Sequence, residues 1–113
     1  MKIKEMLDSE KISALTSSKK VVLDFYAEWC NPCKEISKVL DSLKTETKLS
    51  DIDVIKINVD NNQSTTNIFE VRSLPTLTFL IKKESGDYEI VNKQVGFVNK
   101  ASFVKLVEAS YER

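Results

Sequence analysis

Val21-Val22-Leu23-Asp24-Phe25-Tyr26-Ala27-Glu28-Trp29-Cys30-Asn31-Pro32-Cys33-Lys34 is the stretch on which the reading of the fold turns. Residues 21–27 form a continuous run of β-branched, aromatic and aliphatic side chains, the pattern of a central strand covered on both faces. Pro32 suits the first turn of a helix, where its missing N–H has no intrahelical role. Ile36, Val39, Leu40 and Leu43 then recur at helical spacing over about three turns. The passage therefore reads as strand, short turn and helix, with two cysteines at the junction.

That junction gives the cysteines their chemistry. At a helix start the Cys30 sulfur faces backbone N–H groups without intrahelical partners and the positive end of the helix dipole. Both favour the thiolate, so Cys30 is the expected nucleophile. Cys33 lies nearly one turn further on, on the side of Ile36 and Leu40, close enough to attack a mixed disulfide on Cys30 but turned toward protein. It is the expected resolving thiol. Two other fates compete. Half of a zinc site would need carboxylates or a second subunit, because the chain has no histidine and no third cysteine. Two inert buried cysteines would leave the preceding Trp29, the intervening Pro32 and the strand-to-helix context without a purpose.

Asp24 breaks the apolar run where an unpaired charge is costly to bury. Either it is buried with a raised pKa and exchanges a proton, or strand twist or a hydrogen bond satisfies it. Lys56, within a second apolar stretch, neutralises Asp24 if the two strands are neighbours and is otherwise an outward-facing lysine. Pro75 precedes another strand-like run, and by spacing alone its peptide bond is expected to be trans.

Outward from this centre, Lys2 to Leu7 reads as a short edge strand. Asp8 or Ser9 is the expected N-cap of a helix through Ile12, Ala14 and Leu15. Residues 53–59 and 76–81 read as strands, and the polar stretch from Asn61 to Phe69 as a short helix. The charged turn from Lys82 to Asp87, containing Gly86, leads into a hairpin strand at Tyr88-Glu89-Ile90-Val91. A last helix from about Asn99 to Tyr111 places Phe103, Leu106 and Val107 on one face. Alternating strands and helices ending in a hairpin indicate an α/β layer with a largely parallel sheet and one antiparallel edge.

The 113 residues, 42% hydrophobic, suit one domain spanning 1–113. Seventeen basic residues balance seventeen acidic ones, and the basic runs are no longer than pairs, which argues against nucleic acid and anionic lipid as partners. No segment approaches the roughly 20 apolar residues that span a bilayer. The charged amino terminus, without the apolar stretch of a secretory signal, predicts a cytoplasmic protein, where a cysteine pair is more often catalytic than a permanent staple.

The block from Leu23 to Lys34 resembles the active-site strand and helix start of the thioredoxin family. Val71-Arg72-Ser73-Leu74-Pro75-Thr76 resembles its cis-proline loop, and Val95-Gly96-Phe97 its third substrate-facing segment. The resemblance implies a three-layer sandwich, with a central five-stranded mixed sheet flanked by four helices. It implies a cis Leu74–Pro75 bond facing the cysteines, Asp24 as the proton-transfer carboxylate for Cys33, and Lys56 as its strand neighbour. Trp29, Asn31, Pro32, Leu74, Pro75 and Gly96 are the implied substrate-binding residues. Three positions depart from the family: Asn31 stands where Gly is usual, Lys38 where many members have a helix-kinking Pro, and Ser73 for a common Gly. The stretch from Pro75 to Gly96 is also longer than usual.

The function implied is protein dithiol–disulfide exchange. Cys30 attacks a target disulfide, and Cys33, deprotonated with help from Asp24, releases the reduced target. No bound cofactor is implied; electrons are expected from NADPH through a flavin thioredoxin reductase. The expected partners are that reductase and disulfide-containing proteins, and the expected state is a monomer. Two rivals stay open at this stage: an oxidase or isomerase of the same fold, and a non-catalytic scaffold subunit.

Overall fold

The computed structural model describes residues 1–7 and 10–112. Five strands, β1 (Lys2–Glu5), β2 (Lys20–Tyr26), β3 (Ile52–Asn58), β4 (Thr76–Lys82) and β5 (Tyr88–Val95), form one sheet in the order β1-β3-β2-β4-β5. Around it lie α1 (Ile12–Leu15), α2 (Asn31–Ser42), α3 (Gln63–Ile68), α4 (Lys100–Tyr111) and a 3-10 turn at Thr47–Leu49. The apolar run of β2 explains its central place: residues 21–25 are all at 0% exposure, sealed between neighbours on both sides and layers on both faces.

The two faces follow the two-residue period of the strands. Val22, Val54, Leu77 and Phe79 pack with Ile36 and Leu40 of α2 and Phe103 and Val107 of α4. Val21, Leu23, Phe25, Ile55 and Ile57 pack instead with Ile12 and Leu15 of α1 and with Phe69 after α3. This is the three-layer arrangement and five-stranded mixed sheet expected.

Several details differ from the sequence reading. Antiparallel pairing is not confined to an edge: β1, β3 and β2 run parallel, while β4 is antiparallel to both β2 and β5. The short hairpin at Lys83 to Asp87 sets β5 against β4, with Gly86 at a φ of 94° allowing the turn. The hairpin strand continues past Val91 to Val95, a polar extension concealed by its exposure at the sheet edge. β1 ends at Glu5 rather than Leu7. The expected cap at Asp8 or Ser9 lies outside the described residues, and the residue directly before α1 is Lys11, which makes no side-chain cap bond. α4 is capped as expected, Asn99 Oδ1 accepting from the Ser102 N–H at 2.9 Å. Among the described residues no helix is long and apolar enough to cross a membrane.

Sequence reading also missed Glu70, which follows α3 with a φ of 55°. Its N–H donates to Asn67 O and that of Val71 to Thr66 O, at 3.0 and 3.1 Å, the bond pair of a Schellman helix end. That motif favours glycine, because a Cβ in left-handed geometry crowds the following carbonyl. Replacing Glu70 with Gly is expected to stabilise the fold by about 0.5–1 kcal/mol, the relief of strain exceeding the added chain entropy. A higher urea midpoint at unchanged slope is the expected result.

Candidate active site

The site grows from the end of β2. Beyond Tyr26 the chain turns and enters α2 at Asn31, with Pro32 in the first turn. Cys30 is the N-cap residue, in extended geometry, and its Sγ accepts a hydrogen bond from the Cys33 backbone N–H at 3.3 Å. Sulfur thus fills the place usually taken by a hydroxyl or carboxylate oxygen. Cys30 and Cys33 are joined as a disulfide, with Cα atoms 5.3 Å apart. The i,i+3 spacing on a helix brings them within that reach.

The thiols differ in what they face rather than in exposure, at 6% for Cys30 and 3% for Cys33. Cys30 lines a shallow recess of about 290 Å³ with Trp29, Val59, Thr66, Val71, Arg72 and Leu74. Cys33 lines a separate cavity of about 180 Å³ that includes Tyr26, Ser37 and Lys56. Trp29 is 69% exposed, and its ring is tethered by Nε1–H donating to Asp60 Oδ2 at 2.9 Å. A large aromatic surface held open to water beside the disulfide offers contact area for a partner.

Asp24 resolves in favour of burial. It is fully buried, and among the described residues neither carboxylate oxygen has a hydrogen-bond partner. In the sheet it lies between Lys56 of β3 and Leu77 of β4. Two residues on from Val22, it shares the face covered by α2. Burial raises its pKa to about 7; the Lys56 charge opposes the rise and the Glu5 charge adds to it. The alternative of an exposed or hydrogen-bonded carboxylate is therefore overturned. Lys56 is the strand neighbour expected. Its ammonium donates to Ser37 Oγ at 3.1 Å and lies 4.7 Å from the centroid of the Tyr26 ring.

The Leu74–Pro75 bond is cis, so the trans expectation from spacing alone is corrected. The Pro75 carbonyl accepts from the Gly96 N–H at 2.9 Å, joining two of the expected substrate-facing segments. Gly96 has a φ of 94°, a conformation that disfavours any side chain. Asn31 and Pro32 line a second recess, of about 520 Å³, with Lys34, Glu35, Lys38 and Phe97. The expected binding residues thus divide: Trp29 and Leu74 face one recess, Asn31 and Pro32 the other, and Pro75 and Gly96 line neither.

Asn31 does not need the unusual backbone angles that would favour Gly, since Glu70 is the sole non-glycine residue with positive φ among those described. α2 also runs unbroken through Lys38. Sequence reasoning missed Asp60, Ser37 and Glu5, none of which carried a local signal, whereas Phe97 belongs to the substrate-facing segment expected at Val95-Gly96-Phe97. Among the described residues no cluster of His, Cys, Asp or Glu is able to hold a metal.

The comparisons with known proteins agree with this geometry. The thioredoxin family model matches residues 3–109. The chain is 41% identical to a thioredoxin of Bacillus subtilis over 98 residues, covering 87% of this chain and 88% of that one. It is 39% identical to a thioredoxin of Staphylococcus epidermidis over 108 residues, covering 96% and 97%. The solved structure of a mutant thioredoxin from Halobacterium salinarum superposes with a TM-score of 0.81 at 31% identity, over 99% of this chain and 93% of that one. Family model, relatives and fold agree, and the chain, whose α2 opens with a joined cysteine pair, belongs to the thioredoxin family of protein dithiol–disulfide oxidoreductases, with Cys30 and Cys33 as the redox pair.

Proposed function

We propose that the protein reduces disulfides of target proteins in the cytoplasm as a monomer, with Cys30 attacking, Cys33 resolving and Asp24 handling the proton between them. The observation that carries this reading is the asymmetry of the pair: Cys30 Sγ accepts the Cys33 N–H at the helix start and borders the Trp29 recess, whereas Cys33 borders a different recess, shared with Lys56 and Ser37.

In the dithiol state the Cys30 thiolate attacks one sulfur of a target disulfide. A Cys30–target bond forms, the target S–S bond breaks, and one target thiolate leaves. The Cys33 thiol then gives its proton to the Asp24 carboxylate and attacks Cys30 Sγ. The Cys30–Cys33 bond forms as the Cys30–target bond breaks, and the second target thiolate leaves to be protonated. Two electrons have passed from the dithiol to the target. An Asp24 pKa near 7 suits this task, because the acceptor is then partly ionised at neutral pH and still basic enough to take a proton.

Target chains dock over Trp29, Asn31, Pro32 and Leu74, with Pro75 and Gly96 shaping the backbone between those surfaces. A flavin-containing, NADPH-dependent thioredoxin reductase restores the dithiol, and the chain itself carries no cofactor.

Insulin reduction driven by dithiothreitol is expected to fall to the background rate in a Cys30→Ser variant. In Cys33→Ser, attack without resolution is expected to accumulate a mixed disulfide, located at Cys30 by peptide mapping. Trapping through Cys33 in the converse variant would invert the roles.

Asp24→Asn tests the proton acceptor twice. Resolution near neutral pH is expected to slow, measured as release of target from the mixed disulfide. The folded-state pKa is raised, so the native state binds its proton more tightly than the unfolded chain does. Asp24 therefore destabilises the protein progressively as pH rises from about 4 through about 7. Urea unfolding is expected to show no advantage of Asp24→Asn below pH 4 and a gain approaching roughly 4 kcal/mol above pH 7, since a tenfold change in proton affinity is worth about 1.4 kcal/mol. A variant less stable at pH 7 with unchanged resolution would mark Asp24 as a purely structural carboxylate.

A further inference from the structure

Lys56 carries a long, strongly hydrated side chain, yet its ammonium is drawn along the protein rather than released to water. Such a chain ordinarily lays its methylenes on the surface and sends its charge outward. Here two contacts oppose that outcome. Ser37 Oγ accepts a hydrogen bond from Lys56 Nζ at 3.1 Å, and the Tyr26 ring lies beneath the charge at 4.7 Å. The ring is itself restrained, because the Tyr26 hydroxyl donates to both carboxylate oxygens of Glu5, each at 2.8 Å. A chain of contacts thus runs Glu5, Tyr26, Lys56, Ser37, linking β1, β2 and β3 to α2. Among the described residues Lys56 makes no ion pair that would account for its position otherwise.

Ser37 stands four residues after Cys33 on α2 and so presents its hydroxyl on the same side of the helix. Cys33, Ser37, Lys56 and Tyr26 line one cavity, with Glu28 and Lys34 at its other walls. The opposite neighbour of Asp24 in the sheet, Leu77 of β4, carries no charge. The charged and titratable groups around this point are therefore Lys56 from β3, Glu5 from β1, Tyr26 from β2, Cys33 and Lys34 from α2, and Glu28 from the connecting turn.

We propose that Ser37 is a positioning residue which, with the Tyr26 ring, holds the Lys56 ammonium over the cavity shared with Cys33, so that this charge faces Asp24 and the resolving sulfur instead of bulk water. The inference rests on the reading of Asp24 as proton acceptor. Its physical consequence has a definite sign. The Lys56 charge favours the ionised carboxylate against the penalty of burial. Without the Ser37 hydroxyl the lysine has water as its better partner, its mean distance from Asp24 grows, and the carboxylate holds its proton to higher pH.

The test follows the Asp24 carboxyl carbon by NMR across pH in the oxidised protein, together with the pH profile of the resolving step, read by stopped flow as release of thionitrobenzoate from its mixed disulfide on Cys30. Ser37→Ala is expected to move both midpoints upward by about half a pH unit or more, an approximately threefold loss of ionised Asp24 on the acid side. Lys56→Met is expected to move them further in the same direction, and Ser37→Thr, which keeps the hydroxyl, to restore the wild-type values. Alanine favours the helix, so Ser37→Ala is expected to fold. A Ser37→Ala midpoint that stays in place or moves downward, while Asp24→Asn abolishes the pH step, overturns the positioning role alone. A pH step that survives in Asp24→Asn overturns the proton-acceptor reading, and the inference with it.

Discussion

Both carboxylate oxygens of Asp24 are sealed from water, without a hydrogen bond among the described residues, on the strand at the centre of the sheet, and the rest of the molecule has to be stable in spite of that group. Domains of this size are stable by only about 5–15 kcal/mol, so an unpaired buried charge consumes a considerable share. The structure tolerates it because β2 is bonded on both sides and packed on both faces. Phe25, Phe79 and Phe103 are fully buried around it, and Tyr111 of α4 ties its hydroxyl to the Val21 carbonyl at 2.9 Å. The scaffold is rigid at the point where the charge is least comfortable, and the discomfort keeps the carboxyl protonatable near neutral pH.

The same strand leads straight into the cysteine pair, so the positions of acid and thiols are not independent. α2 lies over the face of the sheet that carries Asp24, fixed there by Ile36 and Leu40, while its first turn projects Cys30 toward the Trp29 recess. One element thus divides the surroundings of two chemically identical groups. The helix start serves Cys30 with backbone N–H groups, and Cys33, buried to a similar degree, borders a different recess.

How much of this was legible in the sequence depended on whether the signal was local. The run from Val21 to Ala27, the helix after Pro32 and the cysteine spacing are local patterns, and all three read correctly. The state of Asp24 was not readable in the same way, because its burial depends on which strands flank β2 and on α2 lying above, neither of which periodicity specifies. Lys56 posed the same difficulty: β3 had to pair with β2 in the one register that opposes it to Asp24. The cis bond at Pro75 ran against the general preference for trans and was reached only through the resemblance of Val71 to Thr76 to a known loop. β5 was cut short because Asn92, Lys93 and Gln94 look like loop residues, although a sheet edge accommodates them freely. Glu70 gave no signal, since nothing in its identity suggests a left-handed backbone.

The departures from the family pattern gain a physical reading from the same geometry. Asn31 occupies the first position of α2 with ordinary helical backbone, so the residue between the cysteines here is not selected for conformational freedom. It is exposed, beside an exposed Pro32, and both border the recess walled by Phe97 and Lys38. Lys38 in turn pairs with Glu35 at 3.3 Å across one turn of an unbroken helix, a surface contact that contributes little to stability. Asn31 and Lys38 therefore leave the reacting groups and their supporting strand untouched and change the surface beside the pair, placing a polar amide and an exposed pair of charges around the recess that Phe97 lines. The reacting pair is buried while Asn31, Pro32 and Lys38 are exposed, so a change at these rim positions alters the surface beside the disulfide without disturbing the packing beneath it.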